Sequence, residues 1–175
     1  MTTTESALDL RPLHRDHWQA FRALRFMSVT DSPLAIYPTY DEEANRRPEE
    51  IQDRIAESPT QVVFGAFDGG TLAAIAGLRW DPLVQVAHKA VLWGVFVHPD
   101  WRRGGLARRL LRELFAYART RGVTQVKLSV NVENEKAAAL YRSLGFEVYG
   151  REPRAMRVDG RYHDEDLMLL CLEKA

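Results

Sequence analysis

The sequence holds one cysteine, Cys171, in 175 residues. A lone thiol cannot form an intrachain disulfide, and it excludes a cysteine-rich zinc site. Its place near the end of the last apolar run predicts a small, buried, unreactive residue. Surplus charge of either sign is also missing: 24 Lys plus Arg balance 24 Asp plus Glu. That argues against a protein that coats nucleic acid or an anionic membrane, so any polyanion contact must be local. No apolar run approaches the ~18 residues of a membrane span. The opening MTTTESALDLRP has no basic stretch followed by an apolar core, so no secretory signal is expected and the expected location is cytoplasmic. The five histidines show no ligand spacing, and no metal is expected. Repeats and low-complexity segments are absent as well. The length suits one well-cored domain over residues 1–175.

What is present alternates between strand and helix patterns. Residues 6–11 predict a short first strand. Trp18, Phe21, Leu24 and Met27 recur every three residues and predict a helix. Residues 30–45 read as a loop or short irregular helices, and a helix is expected from Pro48 to about Glu57. QVVFGAFD and TLAAIAGLRW flank Asp68-Gly69-Gly70, a hairpin signal. KAVLWGVFV is almost continuously apolar, so both faces should be covered, with Gly94 marking a bulge or a close approach. A helix should run from Leu106 to about Arg121, a strand through TQVKLSV, and a helix from its cap Asn134 to Gly145. Two closing strands, about 146–157 and 162–173, meet at Asp159-Gly160. The pattern predicts a mixed α/β domain with one strand–helix–strand crossover.

The chemistry concentrates in VFVHPDWRRGGLARRLLREL, residues 95–114. An apolar strand ends, and a tight Arg-Arg-Gly-Gly turn leads into a helix. The first N–H groups of a helix lack internal partners and the macrodipole is positive there. Gly104 and Gly105 clear the approach, and Arg102, Arg103 and Arg108 add charge. This suits a phosphate or pyrophosphate. It lacks the Gly-Lys-Ser/Thr of a P-loop and the spacing of a dinucleotide fingerprint. Arginine near a helix start opposes the dipole, which argues against a plain surface turn. No aromatic residues interleave with the arginines as a nucleic-acid platform would need, so no nucleic-acid or membrane partner is expected.

The run Arg102-Arg103-Gly104-Gly105-Leu106-Ala107 resembles the Arg/Gln-x-x-Gly-x-Gly/Ala signature of the GNAT N-acetyltransferase superfamily. The preceding strand ends in Val97-x-Pro99, and Asn134-x-x-Ala137-x-x-Leu140-Tyr141-x-x-x-Gly145-Phe146 looks like the second signature. The resemblance implies a single-domain GNAT-like fold: a mostly antiparallel sheet of about seven strands, splayed between strands 4 and 5, with about four helices. Residues 89–150 would form the acetyl-CoA core. Val95, Phe96 and Val97 would bond the pantetheine arm, and Arg102 through Arg108, with Leu106 and Ala107 between them, would hold the pyrophosphate. Asn134 would touch the cofactor or act simply as an N-cap.

Resemblance also implies direct transfer of an acetyl group to the primary amine of a small molecule. Tyr141 falls at the family's general-acid position, although a packed core aromatic is the alternative. Ribosomal-protein N-terminal acetyltransferases carry a glutamate five residues before the asparagine, where this chain has Ser129. The base is therefore open among Glu133, His88, His98, Asp164 and Glu165. Tyr37 and Tyr40, with Asp31, Glu42 and Glu43, could hold an amine cation. Trp80 and Trp93 read as core or pocket wall. A protein N-terminal acetyltransferase and a non-catalytic acyl-CoA-binding module are the rival readings. A homodimer is a further expectation, because the terminal strands offer edges.

Overall fold

The computed structural model describes residues 8–172. The chain runs β1 (Asp9–Pro12), α1 (Trp18–Asp31), α2 (Tyr40–Ala44), α3 (Pro48–Ile55), β2 (Gln61–Asp68), β3 (Thr71–Trp80), β4 (Lys89–Val97), α4 (Leu106–Thr120), β5 (Gln125–Asn131), α5 (Glu135–Ser143), β6 (Glu147–Val158) and β7 (Arg161–Cys171). Residues 6, 7 and 173 of the expected terminal strands lie outside the described residues. The strands form one sheet in the order β1-β2-β3-β4-β5-β7-β6. Only β4 and β5 are parallel neighbours, and α4 supplies the crossover such a pair needs.

Both faces of β2 and β3 are covered, as their apolar runs require, whereas β4, expected to be covered on both faces, leaves Val91 exposed because the sheet opens beside it. Val62, Phe64 and Ala66 pack with Leu106, Leu110, Leu111 and Leu114 on the α4 face. Val63 and Phe67 point the other way and meet Phe21 and Leu24 of α1 with Ile51 and Ile55 of α3. The alternation along β2 splits its side chains between two cores. Leu111 and Leu114 are fully buried, and truncating either to alanine should cost about 2–5 kcal/mol.

The expected burial of Cys171 also needs correction. The described residues hold five α-helices, α2 being a short helix within 30–45 as the pattern allowed. Thr39 and Glu42 make its capping box, with the Thr39 N–H donating to Glu42 Oε2 at 2.7 Å. That Thr-x-x-Glu pattern was available in the sequence. Cys171 is exposed, because strand alternation turns Met168, Leu170 and Leu172 inward or partly inward and leaves Cys171 on the other face.

Candidate active site

The sheet opens between β4 and β5. They pair only at Lys89 with Gln125, Ala90 with Val126 and Val91 with Lys127. Beyond that point β5 stays with β7, and β4 stays with β3. A bulge accompanies the parting: Ile75 faces Phe96 and Gly77 faces Trp93, so Gly94 and Val95 together oppose Ala76. The extra residue bends the strand and leaves a backbone group outside the ladder. Gly94 accepts this with φ +65°. The gap becomes a cavity of about 480 Å³.

The turn at the open end of β4 has an anion-binding form. Arg103 and Gly105 both adopt positive φ, +70° and +72°, and Gly105 caps α4. The N–H groups of Arg103, Gly104 and Gly105 make no backbone hydrogen bonds among the described residues. A Cβ placed on either glycine would meet nothing within 4 Å, so the approach is open. Ala107 and Arg108 are half-buried in the first turn of α4, while Leu106 sends its side chain into the core. Arg102 is already engaged. Its Nη2 lies 2.7 Å from Asp31 Oδ2 and its Nε donates to the Val97 carbonyl at 2.9 Å. Trp101 donates to Asp68. Among the β4 residues expected to meet the donor, Val95 and Phe96 line the cavity and Val97 does not. Asn134 lines it too, and its Oδ1 accepts the Ala137 N–H at 3.2 Å. A cavity between parted strands and, past the end of β4, a turn whose N–H groups make no backbone hydrogen bond together fit a long acyl carrier with a pyrophosphate.

Tyr141 projects from α5 into the same cavity. It stands edge-on to Phe146 at 5.7 Å between ring centroids. It is therefore both core aromatic and cavity wall. Burial pushes its phenol up to about 12, so at neutral pH it retains its proton.

Of the five open base candidates, only Glu165 reaches the cavity. Glu133 pairs with Arg161 on the surface. Asp164 accepts the Arg154 N–H, and His98 caps the turn after β4. His88 is exposed before β4. Glu165 is 3% exposed, and Tyr37 Oη donates to its Oε2 at 2.7 Å. Burial raises the Glu165 carboxyl above its ordinary range, against the opposing effect of the Tyr37 hydroxyl. Asn131 faces Glu165 across the β5–β7 ladder, and Ser129 faces Leu167. Glu165 is thus the diagonal neighbour of Ser129 on one sheet face. A carboxylate on β7 stands beside the β5 position that carries serine here.

Asp31, Glu42 and Glu43, expected to hold an amine cation, are each engaged by a partner within the chain, which corrects that expectation. Asp31 is bound by Arg102, whose hydrogen bond lowers its pKa. Glu42 caps α2. Glu43 is buried against Arg25, Arg46 and Arg54. Burial pushes the Glu43 carboxyl up, but Arg25 and Arg54 pull it further down, below the usual range. Tyr37 stands at the cavity mouth, while Tyr40 packs on Phe26 outside it. Trp93 is a cavity wall, and Trp80 packs at the edge of the α4 core. Sequence reasoning missed Arg25 and Arg54, which also line the cavity; nothing local distinguishes them from surface arginines.

A model of the Acetyltransferase (GNAT) family matches residues 14–146. The chain belongs to this GNAT acetyltransferase family. N-alpha-acetyltransferase RimI of Mycobacterium tuberculosis is 40% identical over 112 residues, which span 62% of this chain and 66% of that protein, just under two thirds. The ribosomal protein bS18-alanine N-acetyltransferase of Escherichia coli K12 is 40% identical over 111 residues, spanning 62% of this chain and 69% of that one. Among solved structures, yncA of Salmonella typhimurium, a putative acetyltransferase with its cofactor acetyl-CoA, superposes with a TM-score of 0.82 at 23% identity, covering 97% of this chain and 96% of that one. Ribosomal-protein-alanine N-acetyltransferase of Brucella melitensis gives 0.77 at 28% identity, covering 94% and 99%. Membership makes acetyl-CoA the acyl donor, as the cavity and turn suggest. No group of metal-ligating side chains occurs among the described residues, and no described helix is long and apolar enough to cross a membrane.

Proposed function

We propose that this GNAT protein is an N-acetyltransferase that moves an acetyl group from acetyl-CoA directly to the primary amine of a small molecule. The observation that carries the reading is one cavity, opened by the parting of β4 and β5, with Tyr141 and Glu165 both in its wall. The turn N–H groups of Arg103 to Gly105 and the start of α4 would hold the pyrophosphate. The cofactor supplies an activated thioester carbonyl when bound. The bulge at Gly94 and Val95 would offer a backbone N–H to that carbonyl oxygen as charge develops on it.

Proton handling falls to two side chains. An alkylammonium must lose a proton before it can attack. Glu165 accepts that proton, directly or through one water, and its raised pKa brings it nearer the working pH. Tyr141 Oη would give a proton to the sulfur as the carbon–sulfur bond of the thioester breaks; its own high pKa keeps it protonated until then. Solvent restores both groups after release.

A second reading, acetylation of a protein N-terminus, is favoured by the 40% identity to N-alpha-acetyltransferases. Thiol release from acetyl-CoA, measured with amino acids, simple amines and N-terminal peptides as acceptors, separates the two. The first reading requires turnover with a small amine; turnover with peptides alone replaces it by the second.

A further inference from the structure

The acceptor side of the cavity holds more positive charge than its own fold consumes. Glu43 Oε1 lies 2.5 Å from Arg25 Nη2 and 3.1 Å from Arg54 Nη1, and Glu43 Oε2 lies 3.4 Å from Arg46 Nε. Arg46 also neighbours Glu42 and Glu50 outside the cavity, so Arg25 and Arg54 share the Glu43 carboxylate at the cavity wall, a surplus of one charge there. The Arg25 and Glu43 side chains are 2% and 4% exposed. The Arg54 side chain is 22% exposed, so its charge is only partly solvated and open to a partner. Burial and the neighbouring Arg25 both lower the Arg54 pKa, a sign of the same crowding.

The surplus faces the cavity. Arg25, Arg54 and Arg79 line it, and Glu165 is the only carboxylate among its lining residues. Arg25 spends Nε and Nη2 on Glu43. Its Nη1 reaches the bulge, 3.6 Å from where a Cβ on Gly94 would stand. Arg54 gives only Nη1 to Glu43 and lies over the Trp93 ring at 4.8 Å. With three guanidinium groups in the wall and Glu165 the one carboxylate among them, the fitting ligand offers acceptor oxygen. The phosphates of the donor are not that ligand, since their turn follows Val97 and none of its residues lines the cavity.

We propose that the acceptor carries a carboxylate beside its amine, as a free α-amino acid does, and that Arg25 and Arg54 bind this carboxylate while the amine faces Glu165. The proposal rests on the acetyltransferase reading. A guanidinium fork matches a carboxylate in shape and charge. One cavity then treats the two ends of a zwitterion oppositely, with arginines for the anion and Glu165 for the cation. Polyamines meet like charge at Arg25 and Arg54, and a peptide N-terminus has its first carboxyl tied in an amide; both are disfavoured.

The test compares kcat/KM for α-amino acids with that of the amide and the decarboxylated amine of the best one, using the full chain and saturating acetyl-CoA. The acid should exceed both analogues by about tenfold to a hundredfold, the range of hydrogen bonds to a charged group. Arg54→Gln should raise KM for the acid by a similar factor and bring the acid-to-amide ratio toward one, with acetyl-CoA affinity unchanged. Arg54→Lys, which keeps the charge but not the fork, should recover part of the ratio. A purely structural arginine would not move that ratio. Equal kcat/KM for acid, amide and amine, or turnover of peptides only, overturns the inference and leaves the acetyltransferase standing. Absence of acceptor-dependent release from every amine and peptide overturns both.

Discussion

The two halves of the cavity are made of different materials. On the donor side, β4, the turn and the start of α4 offer backbone: free N–H groups at Arg103 to Gly105 and a bulge at Gly94. On the acceptor side, α1, the loop after it, α3 and β7 offer side chains: Arg25, Tyr37, Arg54 and Glu165. Backbone recognition needs a continuous chain with glycines at set positions. Side-chain recognition needs only that remote residues meet in space. The donor site should therefore tolerate changes on the acceptor side, and the reverse should hold as well.

The largest expected effect falls at the junction of the halves. Tyr141→Phe removes the proposed proton donor and should lower kcat by about 10²- to 10⁴-fold. Acetyl-CoA affinity, read by calorimetry, should stay nearly unchanged. An unaltered kcat would return Tyr141 to the core alone. Next comes Glu43→Gln, which leaves Arg25 buried without a counter-ion. It should destabilise the fold by about 3–5 kcal/mol, measured by denaturant unfolding. Because the folded-state Glu43 pKa is depressed, its contribution is present above the unfolded carboxyl pKa and fades as pH falls through the folded one. Wild type should lose stability at acid pH that Glu43→Gln does not have to lose.

Gly104→Glu tests the donor half by itself. A side chain there meets open space, so folding should survive. A carboxylate among the pyrophosphate donors should weaken acetyl-CoA binding by about a hundredfold, since like charge at an interface costs several kcal/mol. Intact affinity would move the phosphate site elsewhere. The smallest effect belongs to Tyr37→Phe. The Tyr37 hydroxyl holds the Glu165 pKa down; without it the carboxyl should titrate still higher. The base works when deprotonated, so the acid limb of kcat/KM should shift upward and the rate near neutrality should fall a few-fold. An unmoved limb would detach Glu165 from the base role.

The same division of materials governs what could be read in the chain. Gly94, the Asp-Gly turns, the Arg102–Ala107 run and the Asn134–Tyr141 spacing are local, and each foretold its element. The parting of β4 from β5 followed from the family resemblance, and the register bears it out. The acceptor half was legible only in fragments. Asp31, Glu42 and Glu43 looked like amine ligands, but long-range partners claimed two of them and a local cap claimed the third. Glu165 stood among five candidates until strand pairing set it diagonally across from Ser129. Arg25 and Arg54 are separated by 29 positions in the sequence, and no spacing rule joins them.

The central claim is acetyl transfer at the β4–β5 cavity with Tyr141 as the acid. The most direct measurement is thiol release from saturating acetyl-CoA by wild type and Tyr141→Phe, with and without an amine acceptor. The account predicts release that depends on the acceptor in wild type, and its loss in the variant at equal acetyl-CoA affinity. Release at the same rate from both proteins, or none from wild type with any amine or peptide, would contradict it.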